Sequence, residues 1–399
     1  MTPDNLSTSY TPSAKLFEGA YGWLMIVVLV ALAGFVTKVP AWLTMGINEC
    51  EPSTWSALLT CWNLTHWSDG WYDGPNLPFF VFPFLVIFFC IRNRLSWVQS
   101  GIVLGLVIGS AIYSNSIFTV GSTSDTDNLA VIHMPLFLWF VLGATFIRFR
   151  FRELDSRLAF LRYTGEMLIL SIVILLSGML LTGLTVGIVS TLELPGGAWA
   201  SFRDWYLEWV VVYGIVGAPI VATHALSVNP TALRKVCPLL AGIFSPLLLV
   251  TVLTCLVFMF YSGQYVSIDR HTLLVYNLLL ISLMAIVIFS FIEVNNTLQR
   301  WTIISTSLLV CSTLVLDGIV LWGIGLRTLD EWGLTPNRIV VLGSNLLIFV
   351  HLVWILIGIV QIIRRHEPIR TLHSKLVGYF PIYGAWSAFV VFLLPMMYD

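Results

Sequence analysis

Residues 339–362 read IVVLGSNLLIFVHLVWILIGIVQI, twenty-four positions without an Asp, Glu, Lys or Arg. At a rise of about 1.5 Å per residue, a helix of that length covers the roughly 30 Å hydrocarbon core of a bilayer. The stretch therefore reads as a transmembrane helix, and its flanks agree. Thr335 stands where a hydroxyl can accept a capping hydrogen bond, Pro336 suits the first helical turn, and Arg364-Arg365 closes the far end.

Ten further stretches of the same kind lie near 20–37, 77–91, 97–120, 131–147, 167–190, 206–224, 237–261, 271–292, 302–326 and 376–397. They predict an all-α, polytopic transmembrane bundle of about 11 helices. Composition excludes an ordinary soluble domain: 58% of the 399 residues are hydrophobic and only 10% charged, against roughly 25% charged in soluble proteins. Basic residues accumulate on the cytoplasmic side of short loops. With the N-terminus inside, fifteen of the twenty Lys and Arg fall on that side, including the cluster Arg148, Arg150, Arg152, Arg157 and Arg162 and the group Arg364, Arg365, Arg370 and Lys375. Only Lys38, Arg203, Arg270, Arg327 and Arg338 fall outside. The odd helix count then places the C-terminus outside. The basic rim is what orientation beside anionic lipid produces, and it is no nucleic-acid footprint.

No Gly/Ser linker or low-complexity run interrupts the chain, so residues 1–399 are expected to form a single integral membrane domain. The first apolar stretch lacks a small-residue cleavage site after it and reads as a retained helix. The outer loop at about 40–78 holds Trp42, Trp55, Trp62, Trp67, Trp71 and Tyr72, which reads as an interfacial belt or a lid on the helix ends, or else as stacked aromatics that recognise a ligand; in a scaffold it would meet a protein partner. Cys50 and Cys61 share that loop and are expected to form a disulfide in an oxidising compartment. Cys90, Cys237, Cys255 and Cys311 lie in or beside apolar spans and are expected to pack as small hydrophobes. On the inner side, Leu154, Leu158 and Leu161 recur at helical spacing between Arg157 and Arg162. That pattern suits either a short helix on the cytoplasmic leaflet or a connecting helix packed on protein.

An ionisable group deep in a bilayer is costly and tends to face a bundle interior or an aqueous cavity. Asp317 is the only carboxylate deep within a span, and the next span carries His351. Consecutive helices joined by a short outer loop are antiparallel neighbours, so the two groups are expected to meet near the membrane midplane. The functional reading is a proton or cation site; the structural reading is a buried Asp–His hydrogen bond that locks two helices. Asn277, Asn345, Ser344 and Tyr213 lie at similar or shallower depth and would complete an oxygen-rich cage or bond to one another. In 213–219, YGIVGAP, the proline cannot donate to the helix, and a kink near Ala218 is expected. No phosphate loop, zinc spacing or nucleophile elbow is present, and neither a cofactor nor a metal is expected. The acids of a membrane enzyme acting on a lipid-linked substrate would be Asp204 and Glu208, beside Arg203.

Between the ninth and tenth spans, Leu326-Arg327 is followed by Trp332-Gly333-Leu334-Thr335-Pro336-Asn337-Arg338. This run resembles the signature of a family of bacterial polytopic membrane proteins grouped only as a domain of unknown function, forty-one fifty-three. The resemblance is strongest over 237–362, where Pro238, Pro246 and Tyr261 are also similar; His133-Met134-Pro135 with Gly143 is a further likeness. It implies a bacterial inner-membrane protein and no particular activity. Arg327, Thr335, Asn337 and Arg338 form an outer-rim motif, with Arg338 placed to pair with Asp330 or Glu331. The leading function is a transporter or permease-like carrier for an unknown small molecule or ion, proton-coupled through Asp317 and His351, with membrane lipids as its surroundings. The rivals are a non-transporting scaffold or envelope-stress sensor and, third, a membrane enzyme.

Overall fold

The computed structural model describes residues 20–44, 73–117, 124–190, 202–203, 205–229, 236–262, 270–292, 300–330 and 334–398. Among these residues there are helices and turns and no strand. Helix α1 spans Ala20–Thr44, and two short turns at Asp73–Asn76 and Leu77–Phe80 lead into α2, Phe82–Arg92. Then follow α3 (Trp97–Ile117), α4 (Asp125–Phe146), α5 (Leu154–Ser190) and α6 (Val212–Val228), the last entered through a π-helical turn at Tyr206–Val211. After α7 (Val236–Ser262), α8 (Arg270–Ile292), α9 (Arg300–Asp330) and α10 (Pro336–Arg365) come α11 (Ile369–Gly378) and α12 (Phe380–Ala388). The chain leaves α12 through a second π-helical turn, Phe389–Leu393, and a last helical turn, Leu394–Tyr398.

Among the described residues eight helical segments are long and apolar enough to cross a membrane, and three shorter apolar ones, Phe82–Arg92, Ser245–Tyr261 and Tyr276–Ile292, fall on the remaining spans read from the sequence. The bundle is therefore all-α and polytopic, with every expected span falling on a helix. Thr335 caps α10 as its position predicts, its hydroxyl accepting the Arg338 backbone N–H at 3.4 Å with Pro336 in the first turn. At the other end α10 stops on His366, whose φ of 53° is left-handed, directly after Arg364 and Arg365.

Two elements differ from expectation in form. The inner segment and the fifth span are one 37-residue helix, α5, about 55 Å long and far more than the hydrocarbon core requires. Leu158 and Leu161 are buried and Arg157 donates to the Val377 carbonyl at 3.1 Å, so this segment packs on protein and does not lie on the leaflet. The eleventh span is broken at Tyr379, with the amphipathic α11 on one side and α12 on the other. Pro219 sits inside α6, with the Thr223 hydroxyl donating to its carbonyl at 2.7 Å.

Packing divides the chain into two compact units, with boundaries inside α4 and α5. The first comprises Met1–Thr123, Leu138–Phe149 and Glu166–Leu233. Here α1 packs on α6 through glycines that let the helices approach. A Cβ on Gly34 would run into the Tyr213 ring, and one on Gly217 would lie 2.8 Å from Val30 Cγ1. The second comprises Ser124–Phe137, Arg150–Gly165 and Arg234–Asp399. In it α7, α8, α9 and α10 pack on one another, and α11 lies on α10 and α8. Leu129, Val340, Val390 and Leu394 form a buried cluster in this unit, flanked by Ile339, Trp386 and Phe389.

Candidate functional site

The second unit assembles most of the expected polar residues. Asp317 comes from the middle of α9, and its residue is 0% exposed. His351 comes from the middle of α10 and is also fully buried. They do not hydrogen-bond to each other. The His351 ring has other partners: Nε2 lies 3.2 Å from the Lys375 carbonyl oxygen and Nδ1 lies 3.1 Å from the Tyr383 hydroxyl. A carbonyl only accepts, so Nε2 carries the proton; Nδ1 of the neutral ring then accepts from the Tyr383 O–H. The ring also stacks on Tyr379, with centroids 4.6 Å apart and 16° between planes.

Tyr383 of α12 supplies the hydroxyl that donates to the His351 ring. Among the described residues neither carboxylate oxygen of Asp317 finds a hydrogen-bond partner. The structural reading of this pair, a direct Asp–His bond between α9 and α10, is thus replaced by a His–Tyr bond from α10 to α12, with the carboxyl left over. Below the ring, Lys375 lays its Nζ over the Trp354 indole at 5.5 Å, and its Cδ would lie 2.8 Å from a Cβ on Gly358. Gly358 is what lets α11 fold back along α10 and bring the Lys375 carbonyl to His351.

A second polar group sits toward the Thr335 end of α10. Asn345 donates to Asn277 Oδ1 at 3.0 Å, joining α10 to α8, and Trp386 donates to the Ser344 hydroxyl at 3.0 Å, joining α12 to α10. Of the residues expected to form a cage or to bond to one another, Asn277 and Asn345 bond to each other, while Ser344 accepts from Trp386, which the expectation did not include. Tyr213 belongs to the first unit, where it packs against Gly34 and stacks on Trp209. Also in that unit, Glu208 accepts from Lys38 at 3.2 Å, with Lys38 in turn 5.4 Å from the Trp209 ring centroid. Among the described residues no three His, Cys, Asp or Glu side chains gather as a metal site.

Of the outer-rim motif, Thr335 is the α10 cap and Asn337 and Arg338 lie in the first turn of that helix; Arg327 lies in the last turn of α9. The expected Arg338 pairing with Asp330 or Glu331 lies outside the described side chains. So do the disulfide between Cys50 and Cys61, Asp204, and the aromatic residues of the outer loop from Trp42 to Tyr72. Of the thiols expected to pack, Cys90 and Cys255 are partly buried and Cys311 is exposed on α9, against the expectation, while the Cys237 side chain lies outside the described ones.

Sequence reading missed Tyr379, Tyr383, Lys375 and Trp386. The signal was present: Tyr379 and Tyr383 stand four apart around Phe380-Pro381, one helical turn that puts both rings on the side of His351. A groove of about 320 Å³, lined by Phe260, Leu314, Val315, Gly318, Trp322 and Phe349, flanks α9 on another side; Asp317 and His351 do not line it.

Comparison with protein-family models, with curated proteins and with solved structures finds no match to this chain.

Proposed function

We propose that the protein is a membrane carrier in which Asp317 binds a proton or a small cation and the His351–Tyr383–Tyr379 group holds the surroundings of that carboxyl in place. The observation that carries this reading is the isolation of Asp317. A carboxylate retained for structure makes hydrogen bonds between helices, and both Asp317 oxygens make none. An ionised carboxyl buried without a partner is costly, and a bound proton or cation removes that cost. An ion that comes and goes at this position would give the bundle two states of different internal charge, which is what coupling requires. The resemblance over 237–362 and the basic inner rim support a place in a bacterial inner membrane.

The test uses proteoliposomes loaded with a pH-sensitive dye. Fractions of a small-molecule extract that drive proton uptake through the wild-type protein should drive none through Asp317→Asn, while the thermal unfolding midpoint stays unchanged. Uptake that survives the substitution, or no uptake with any fraction, would refute the proposal.

A further inference from the structure

Buried Ser and Thr hydroxyls in membrane helices usually bond back to a carbonyl one turn earlier, and this chain does so repeatedly. Thr145, Thr164, Ser171, Thr223 and Thr313 all donate to the carbonyl at i−4. Among the described residues four Ser and Thr hydroxyls with buried oxygens do not: Ser245, Ser290, Thr306 and Ser307 find no hydrogen-bond partner. All four lie in the second unit, in the parts of α7, α8 and α9 nearest Arg300, Arg364 and Arg365. By the charge rule that is the cytoplasmic end. At about 1.5 Å per residue, Ser290 lies roughly 3 Å from its helix end, Thr306 roughly 9 Å and Ser245 roughly 13 Å.

Thr306, Thr313 and Asp317 share one face of α9, within about 40° of each other at 3.6 residues per turn. All three residues are 0% exposed. Beyond Asp317 the same face continues as Val320 and Ile324, both buried and apolar. Val310, one turn after Thr306, shares this face and is buried and apolar, so polar side chains recur at Thr306, Thr313 and Asp317 from the arginine-rich end as far as the carboxyl, and none follows in Val320 and Ile324. On the opposite side of the membrane the polar groups of this unit, Asn277 with Asn345 and Ser344 with Trp386, are bonded to each other. Unsatisfied buried hydroxyls cost free energy unless water reaches them, and water needs polar partners of this kind along its way.

We infer that a water-bearing path, lined by Thr306 and Thr313 of α9 with Ser245 and Ser290 on its neighbours, connects Asp317 to the arginine-rich side of the membrane and to that side alone. The inference rests on the reading of Asp317 as an ion-binding carboxyl and adds the side from which the ion arrives. The ion is a proton, relayed between hydrogen-bonded waters. Thr306 and Thr313 are about 10 Å apart along the axis, a span of three to four water hydrogen bonds of about 2.8 Å. The proton leaves the last water for a carboxylate oxygen, and on release it returns to that water. His351 is no continuation of the path, because its Nε2 proton points at the Lys375 carbonyl, which accepts a hydrogen bond and takes no proton.

Two measurements test this. Thr306→Cys should be modified by a small membrane-impermeant methanethiosulfonate in inside-out vesicles and not in right-side-out vesicles, with the adduct located by mass spectrometry. Independently, the infrared carboxylic C=O band that disappears in Asp317→Asn should shift on transfer of the intact protein to D₂O. Thr306→Val should slow that exchange about tenfold, and Thr306→Ser, which keeps the hydroxyl, should restore it. Modification from the opposite side or from neither, or an exchange rate indifferent to Thr306→Val, overturns the path. Rapid exchange and one-sided modification without dye-reported proton uptake would uphold the path and refute the carrier. Proton uptake with no dependence on Thr306 would do the reverse.

Discussion

His351 shows how much a single side chain can hold in place when every polar atom is committed. Its two hydrogen bonds and its stacking on Tyr379 tie α10 to α11 and α12 at once. The carbonyl partner selects the Nε2–H tautomer, so ¹⁵N NMR of ring-labelled protein, assigned by the signal lost in His351→Phe, should show a protonated Nε2 and an unprotonated Nδ1. The inverse pattern would contradict the hydrogen-bond assignment. Tyr383→Phe removes one bond between membrane helices and keeps the ring. It should lower stability by about 0.6 kcal/mol and by no more than about 1.7, the range found for such bonds, read from the unfolding midpoint in detergent. Asp317, by contrast, contributes no hydrogen bond, and its replacement by Asn should leave that midpoint unchanged.

At the scale of elements, close approach of helices governs what can meet. Lipid chains are as apolar as leucine, so helices associate here through packing and hydrogen bonds more than through the hydrophobic effect. Gly343 illustrates the packing. It stands one residue before Ser344, and a Cβ there would run into the Trp386 indole that donates to Ser344. Gly343→Val should push α12 off α10, break the Trp386–Ser344 bond and destabilise the protein by about 1–3 kcal/mol, the usual range for overpacking. Intrinsic tryptophan emission together with a lowered unfolding midpoint would register it; an unaltered midpoint would show that α12 yields without cost. The two π-helical turns, Tyr206–Val211 and Phe389–Leu393, fall beside the Lys38–Glu208 pair and in the Leu129 cluster respectively. Each inserts extra backbone into a span that the apolar pattern alone reads as regular helix.

For the whole molecule, orientation is the property on which the functional proposals depend. The charge rule predicts that a reporter fused after Asp399 is active only on the extracytoplasmic side, since with eleven crossings and the N-terminus inside it puts fifteen of twenty basic residues on the opposite side. Cytoplasmic activity of that fusion would reverse the orientation or change the number of crossings, and the path to Asp317 would then open on the other face.

The eleven spans and the cap at Thr335 were legible in the sequence because each depends on residues close together in the chain: a run of apolar side chains longer than the bilayer is thick, or a hydroxyl three residues before the N–H it accepts. The candidate site was legible in part for a related reason. A carboxyl inside an apolar run is conspicuous whatever it touches, so Asp317 and His351 stood out, while Tyr379 and Tyr383 were two aromatics among many. Only the tertiary structure decided that His351 bonds to Tyr383 and to the Lys375 carbonyl, that Asn277 meets Asn345 across 68 positions, and that Asp317 is left without a partner. The physical reason is that such contacts are set by helix rotation and by small residues such as Gly358 that permit close approach. Hydropathy reports that a segment lies in the membrane, and the packing of neighbouring helices decides which way its few polar groups turn.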